Sequence, residues 1–251
     1  MIINRYKIAD RVVEIRSLYE KVHTYCAEYR SDEPADYSVT VTQKDIDLER
    51  ARSRQERASE GLPPFEYSRG YLEELAVYRK IAEHMTEYDT ILFHGSVVAV
   101  DGEGYLFTAR SGTGKSTHTR LWRELLGERA VMVNDDKPLL RITESGVIAY
   151  GTPYNGKHRI GANISVPLKA ICILTRSSDN HIGMISRVQA YSTLLQQVYR
   201  PSDPERMRKT LSLLDRLSGK VRFYRLGCNM ELSAARVAYE GMRQVDGKES
   251  V

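Results

Sequence analysis

The chain has 251 residues with 37 basic and 33 acidic side chains, a net charge of +4. That length holds one large domain or two small ones around a substantial core. The near balance of charge, with no run of one sign standing out, argues against nucleic acid as a partner. Three widely spaced cysteines, Cys26, Cys172 and Cys228, make neither a metal-ligand spacing nor a disulfide framework and fit a reducing compartment. The opening stretch MIINRYKIADRVVEIRS is too charged for a signal peptide, and no apolar run is long enough to cross a bilayer. The expected setting is cytoplasmic, with no membrane partner.

Residues 1–88 read as a small α+β region. Tyr6–Ala9 and Arg11–Ile15 pair as a hairpin, and Tyr37–Thr42 alternates like a half-buried strand. The charged run KDIDLERARSRQERASEGLPP reads as a solvated helix or loop that ends at Gly61 and Pro63-Pro64. Ser68–Tyr88 has the pattern of an amphipathic helix. Ser68 is its N-cap, Glu73 and Glu74 lie near the first turn, and Leu75, Tyr78, Ala82 and Met85 form its apolar stripe.

Residues 89–245 read as an α/β domain. Ile91–His94 begins a strand that continues through Val97–Val100, and Asp101-Gly102-Glu103-Gly104 turns into a strand at Tyr105–Thr108. A helix follows and stops at Gly127. Ala130–Val133 is a short buried strand, and Glu144-Ser145-Gly146 separates strands at Leu139–Ile142 and Val147–Tyr150. Gly151–His158 is loop, Ala170–Leu174 a buried strand, and Ser186 opens a helix to about Tyr199. Asp203-Pro204 supplies an N-cap with proline at the first helical position, and Gly219 ends that helix. A strand at Val221–Leu226 and a helix at Ser233–Met242 complete the pattern. Hairpin signals among the strands point to a mixed sheet.

The chemistry concentrates in YLFTARSGTGKST, Tyr105–Thr117. Strand, glycine loop and helix in this order read as a phosphate-binding P-loop of Walker A type, with Ala109 where the usual pattern has glycine. Gly112 and Gly114 let backbone N–H groups approach phosphate oxygens, and the helix N-terminus adds its dipole. Ser111, Thr113 and Thr117 complete the nucleotide cradle. Lys115 brings a full charge to the β- and γ-phosphates, and the Ser116 hydroxyl is a Mg²⁺ ligand. One helix and one strand later comes Asn134-Asp135-Asp136. A carboxylate at that strand end reaches the same Mg²⁺, and a second one beside it, its pKa raised by its neighbour, suits a general base. Lys137 reads as either a phosphoryl contact or a solvated lysine. Lys157-His158-Arg159 reads as either a site for an anionic acceptor or phosphates, or a solvated basic loop. Trp122 and Leu125 read as core.

His94-Gly95 on the preceding strand, SGTGKS, and an apolar strand ending in Asp-Asp together resemble the HPr kinase/phosphorylase family. They also resemble the related nucleotide fold of ATP-dependent phosphoenolpyruvate carboxykinase. The blocks NDDKPLL, GTPYNGKH and VPLKAICIL are similar to those of small stand-alone HPr-kinase-related serine kinases. The resemblance implies a mixed-sheet P-loop domain and ATP- and Mg²⁺-dependent phosphoryl transfer. The acceptor would be a hydroxyl, serine first, on a protein, peptide or small molecule. It implies Asp135 as base, Asp136 as metal or outer carboxylate with the two open to exchange, and His94 orienting the pair, though His94 reads equally as a satisfied, partly buried strand histidine. It also allows a homo-oligomer. The C-terminal motif with which those enzymes grip their phosphocarrier is not legible here, which points to another acceptor. Two other functions fit the same residues: a nucleotide-dependent switch or scaffold without catalysis, and a carboxykinase-like small-molecule enzyme.

Overall fold

The computed structural model describes residues 1–59, 61–156 and 159–243, which fall into two units, Met1–Met85 and a second beginning at Thr86. In the first unit, β1 (Ile2–Ile8) and β2 (Arg11–Ser17) form an antiparallel hairpin. Its two turn residues, Ala9 and Asp10, both have positive φ, the geometry that matches strand twist in a tight hairpin. The short helix α1 (Lys21–Tyr25) leads to β3 (Tyr37–Thr40), which adds parallel to β2. The charged run forms α2 (Gln43–Ser59), which packs on α3 (Arg69–Met85). Glu49 is buried between the two and paired with Arg52 and Arg79.

Ser68 Oγ accepts the Tyr71 N–H at 3.3 Å, the expected cap. One expectation for α3 needs correction. Leu75 is only partly buried, and the deepest positions are Leu72, Val77, Ile81 and Met85. Glu73 follows the first turn of α3. It is fully buried and accepts the N–H groups of Leu18 and Tyr19. The helix packs as a supporting wall, so the deeper face won over the pattern read from single residues.

In the second unit the described residues form one nine-stranded mixed sheet. The strands are β4 (Thr90–Leu92), β5 (Ser96–Val100), β6 (Glu103–Thr108), β7 (Ala130–Asn134), β8 (Leu139–Ile142), β9 (Val147–Tyr150), β10 (Ser165–Arg176), β11 (His181–Ile185) and β12 (Arg222–Cys228). The path β4-β8-β9-β10-β6-β5-β7 branches at β10, which also pairs with β12, and β12 pairs with β11. β10 runs parallel to β6 and β12, while β5–β6, β5–β7 and the β4-β8-β9 extension are antiparallel.

The expected strand from Ile91 to Val100 is two strands. β4 pairs with β8 and β5 with β6 and β7, and the chain bends at Phe93-His94-Gly95 between them. The buried strand expected at Ala170–Leu174 is longer. Its first residues, Ser165–Pro167, pair with β9, and the rest pairs with β6 and β12. The edge strand β11 was not expected.

Strand alternation sorts the core into two faces. Val97, Ala99, Leu106, Ile171, Ile173 and Phe223 meet Leu194 of α5 (Arg187–Gln197) and Leu213, Leu214 and Leu217 of α6 (Pro204–Ser218). Val98, Val100, Tyr105, Phe107, Cys172 and Leu226 meet Leu121 and Trp122 of α4 (Lys115–Leu126) and Ala235, Ala238 and Tyr239 of α7 (Leu232–Arg243). The sheet is thus covered by helices on both sides, an α/β architecture. Ser186 caps α5 in a capping box, and Asp203 caps α6 with Pro204 next. Among the described residues no helix is long and apolar enough to cross a membrane.

Candidate functional site

The carboxyl ends of β6, β10 and β12 point the same way because the three strands are parallel. Ligands of open α/β sheets sit beyond such ends. The loop after β6 runs from Ala109, buried, to Gly114 at the start of α4. Gly112 has φ of 75° and Gly114 of 122°, conformations that a side chain disfavours. Gly114 provides no side-chain cap, so the first turn of α4 presents its amide groups without one. Ser111 and Gly112 are exposed, Thr113 and Thr117 partly so, and the Thr113 N–H closes on the Arg110 carbonyl at 3.2 Å. From the tip of β10, Arg176 donates to the Gly112 carbonyl at 2.7 Å and holds the loop from outside.

Lys115 turns its ammonium back to the Ala109 carbonyl at 3.2 Å. Burial lowers its pKa, the negative charge of Asp136 opposes that, and Lys137 adds to it. The lysine of the loop and the second carboxylate of the Asp-Asp pair therefore lie within electrostatic reach of each other.

The pair stands where β7 ends. Asn134 shapes it: its Oδ1 accepts the N–H groups of Asp136 at 2.9 Å and Lys137 at 2.6 Å, a side-chain turn. Its Nδ2 donates to Thr152 Oγ1 at 3.0 Å, and Thr152 Oγ1 donates to the Lys137 carbonyl at 3.0 Å. The backbone carbonyl of Asp135 accepts Ser96 Oγ–H at 2.8 Å, and that of Asp136 accepts the Gly95 N–H at 3.0 Å. The bend between β4 and β5 thus sits against the pair.

The two carboxylates have different surroundings. Asp136 Oδ1 lies 3.2 Å from His94 Nε2 and Oδ2 lies 2.7 Å from Lys137 Nζ. Burial alone would raise its pKa, but the His94 hydrogen bond and the Lys137 charge outweigh it and hold the group at about 2. Asp135 is 8% exposed, and its two oxygens accept the N–H groups of Gly156 and Ile160. Burial raises its pKa, the two backbone hydrogen bonds pull it down, and the charge of Asp136 pushes it up, with a net rise. Gly156 lies so close that a Cβ there would be 3.2 Å from Asp136 Cβ and 3.3 Å from Asp135 Oδ2.

A cleft of roughly 400 Å³ runs beside α4. Ser116 and Asp135 both line it, together with Arg120, Arg123, Met132 and Ile160. His94, Lys115, Asp136 and Lys137 thus make one polar cluster, and Ser116 and Asp135 share one cleft. Of the basic run, Lys157 and His158 lie outside the described residues. Arg159 is exposed with φ of 50°, and its N–H donates to the Gly156 carbonyl at 3.0 Å.

Sequence reasoning missed Asn134, Thr152, Gly156 and Arg176. For Asn134 a signal existed, since asparagine just before a turn is a standard side-chain acceptor for the next N–H groups. Thr152, Gly156 and Arg176 act through contacts with residues far away in the chain, which leave no local trace.

Comparison with known proteins gives three findings. No curated protein matches the chain. Among solved structures, the chain is similar to the HPr(Ser) kinase/phosphatase from Coxiella burnetii, at 11% identity over 61% of this chain and 99% of that one, with a TM-score of 0.35. That superposition is too loose to carry a fold type or an activity across. The family model that matches is not that of the HPr kinases: it covers residues 71–231, from α3 to the residue before α7. The chain belongs to the family described as SynChlorMet cassette protein ScmC.

Proposed function

We propose that the second unit is a P-loop domain of HPr-kinase type that binds ATP with Mg²⁺ and transfers the γ-phosphoryl group to a hydroxyl. Serine on a protein, peptide or small molecule is the first choice of acceptor. The observation that carries this reading is the meeting of two chain segments. Ser116 of α4 and Asp135 at the end of β7 line one cleft, and Asp136 beside it acts electrostatically on Lys115.

The roles follow from the chemistry of each group. The 109–117 loop with its positive-φ glycines and uncapped helix start suits a chain of phosphates. Lys115, partly desolvated, directs its charge at the transferred group. Asp135 faces the cleft with a raised pKa and accepts the proton of the incoming hydroxyl. Asp136, held ionised between His94 and Lys137, keeps that corner negative without taking the proton itself.

The donor set fits magnesium, a hard cation that binds a hydroxyl, one or two carboxylates and phosphate oxygens. Ser116 and Asp136 would hold it, and when bound it neutralises charge on the β- and γ-phosphates. Catalysis by these residues is mainly positioning and charge complementarity.

The test is γ-labelled ATP incubated with the protein and a lysate of its own source. Label is expected on a hydroxyl acceptor, and Lys115→Ala is expected to abolish it. Nucleotide binding with no labelled product over a broad set of acceptors would overturn the transfer reading in favour of a non-catalytic switch.

A further inference from the structure

We propose that the cleft beside α4 receives an acidic, hydroxyl-bearing peptide segment, with Arg120 and Arg123 pairing its carboxylates while its hydroxyl faces Asp135. This names the acceptor class and rests on the phosphoryl-transfer reading above.

Ser116, Arg120 and Arg123 stand at i, i+4 and i+7 on one stripe of α4, and all three line the cleft. A rise of 1.5 Å per residue puts Arg120 about 6 Å and Arg123 about 10 Å beyond Ser116 along the helix. The phosphate loop lies at the opposite, N-terminal end. The arginines therefore address what approaches from beyond the phosphates.

The lining carries two guanidinium groups against one carboxylate, Asp135, whose oxygens each already accept a backbone N–H. Guanidinium groups match carboxylates in charge and in planar geometry. Arg120 is paired with Glu124 at 3.2 Å, but both side chains are more than half exposed, so a peptide carboxylate can replace that partner at little cost. Met132 and Ile160 add an apolar wall that a small free anion would leave uncovered. The volume falls within the roughly 300–1,000 Å³ typical of ligand pockets. The apolar wall of Met132 and Ile160 suits amino-acid side chains better than a sugar-phosphate chain, which favours a peptide over a nucleic acid.

The step balances. The peptide hydroxyl loses its proton to the Asp135 carboxylate, and its oxygen bonds the γ-phosphorus. The bond from that phosphorus to the β–γ bridging oxygen breaks, leaving a nucleoside diphosphate.

The test uses three fluorescein-labelled peptides with a central serine flanked by glutamate, alanine or lysine. Each is titrated against the full chain with Mg²⁺ and a non-hydrolysable ATP analogue. The glutamate peptide is expected to bind at least tenfold more tightly than the alanine peptide and to weaken as salt rises. The double variant R120E/R123E is expected to prefer the lysine peptide, a gain that an unfolded protein cannot give. Equal wild-type affinity for the three peptides, a glutamate preference that survives in the double variant, or tighter binding of an oligonucleotide than of the glutamate peptide overturns the proposal. Labelled transfer without peptide discrimination would sink this inference alone, and discrimination without any transfer would sink the kinase reading alone.

Discussion

Each unit of the molecule contains a buried carboxylate held by two backbone N–H groups. In the first, Glu73 of α3 accepts from Leu18 and Tyr19, just past β2. In the second, Asp135 at the end of β7 accepts from Gly156 and Ile160. Burial raises the pKa of both against the pull of those hydrogen bonds. Burial, backbone clamping and a raised pKa therefore do not distinguish a reactive acid from a structural one. The neighbours do. Glu73 has no exposed surface and fastens a loop to a helix, whereas Asp135 lines a cleft with Ser116 and precedes Asp136, which His94 and Lys137 hold.

The contrast makes its strongest demand on a pair of isosteric changes. Asp135→Asn is expected to lower phosphoryl transfer by about 10²–10⁴-fold while ATP affinity persists, the usual worth of a general base. Glu73→Gln is expected to leave transfer per folded molecule unchanged. Labelled-ATP rates for the two variants decide it, and a comparable loss in both would erase the distinction drawn here.

The reverse holds for stability. Glu73→Ala leaves the part-buried N–H groups of Leu18 and Tyr19 without their acceptor, and urea unfolding should show a loss of about 1–3 kcal/mol. A neutral result would mean that the loop after β2 finds other partners.

His118 sharpens the comparison, because it is a buried titratable group packed beside Trp122 in the core. Its Nε2 accepts the Trp122 Nε1–H at 3.1 Å, and burial lowers its pKa to about 4. An imidazole with a depressed folded pKa contributes stability that is full above its unfolded value near 6.5 and lost as pH falls toward 4. The wild type should lose about 2 kcal/mol from this group between pH 7.5 and pH 5, taking 1.36 kcal/mol per pKa unit. His118→Gln keeps an acceptor for Trp122 and should flatten that part of the urea-midpoint profile. An unchanged slope would move the effect to other groups.

The smallest effect is expected at Gly156→Ala. The added methyl would press on the Asp136 Cβ and the Asp135 carboxylate and shift them by tenths of an ångström. Transfer should fall about tenfold, equal to about 1.4 kcal/mol in the barrier, with a smaller change in stability.

What could be read from residues alone was local. The hairpin turn at Glu144–Gly146, the caps at Ser186 and Asp203, the stop at Gly127 and the glycine loop each depend on neighbours within a few positions. The charge of Asp136 acts on Lys115, although the two are a helix and a strand apart in the chain. What escaped depends on distant partners. The break at Phe93–Gly95 exists because β4 and β5 find different neighbours, and no residue there announces it. The strand read at Ala170–Leu174 extends back to Ser165, where Pro167 pairs with Ile148 of β9. The bond from Arg176 to Gly112 joins residues 64 positions apart.

β10 acts as a tie-beam. One end carries the β9 pairing from which Thr152 and Gly156 hang over the acid pair, and the other carries Arg176 against the glycine loop. A push on either end travels along the same twelve-residue member. A lesion midway, at Ala170 or Cys172, would therefore misalign both halves of the site together without touching either.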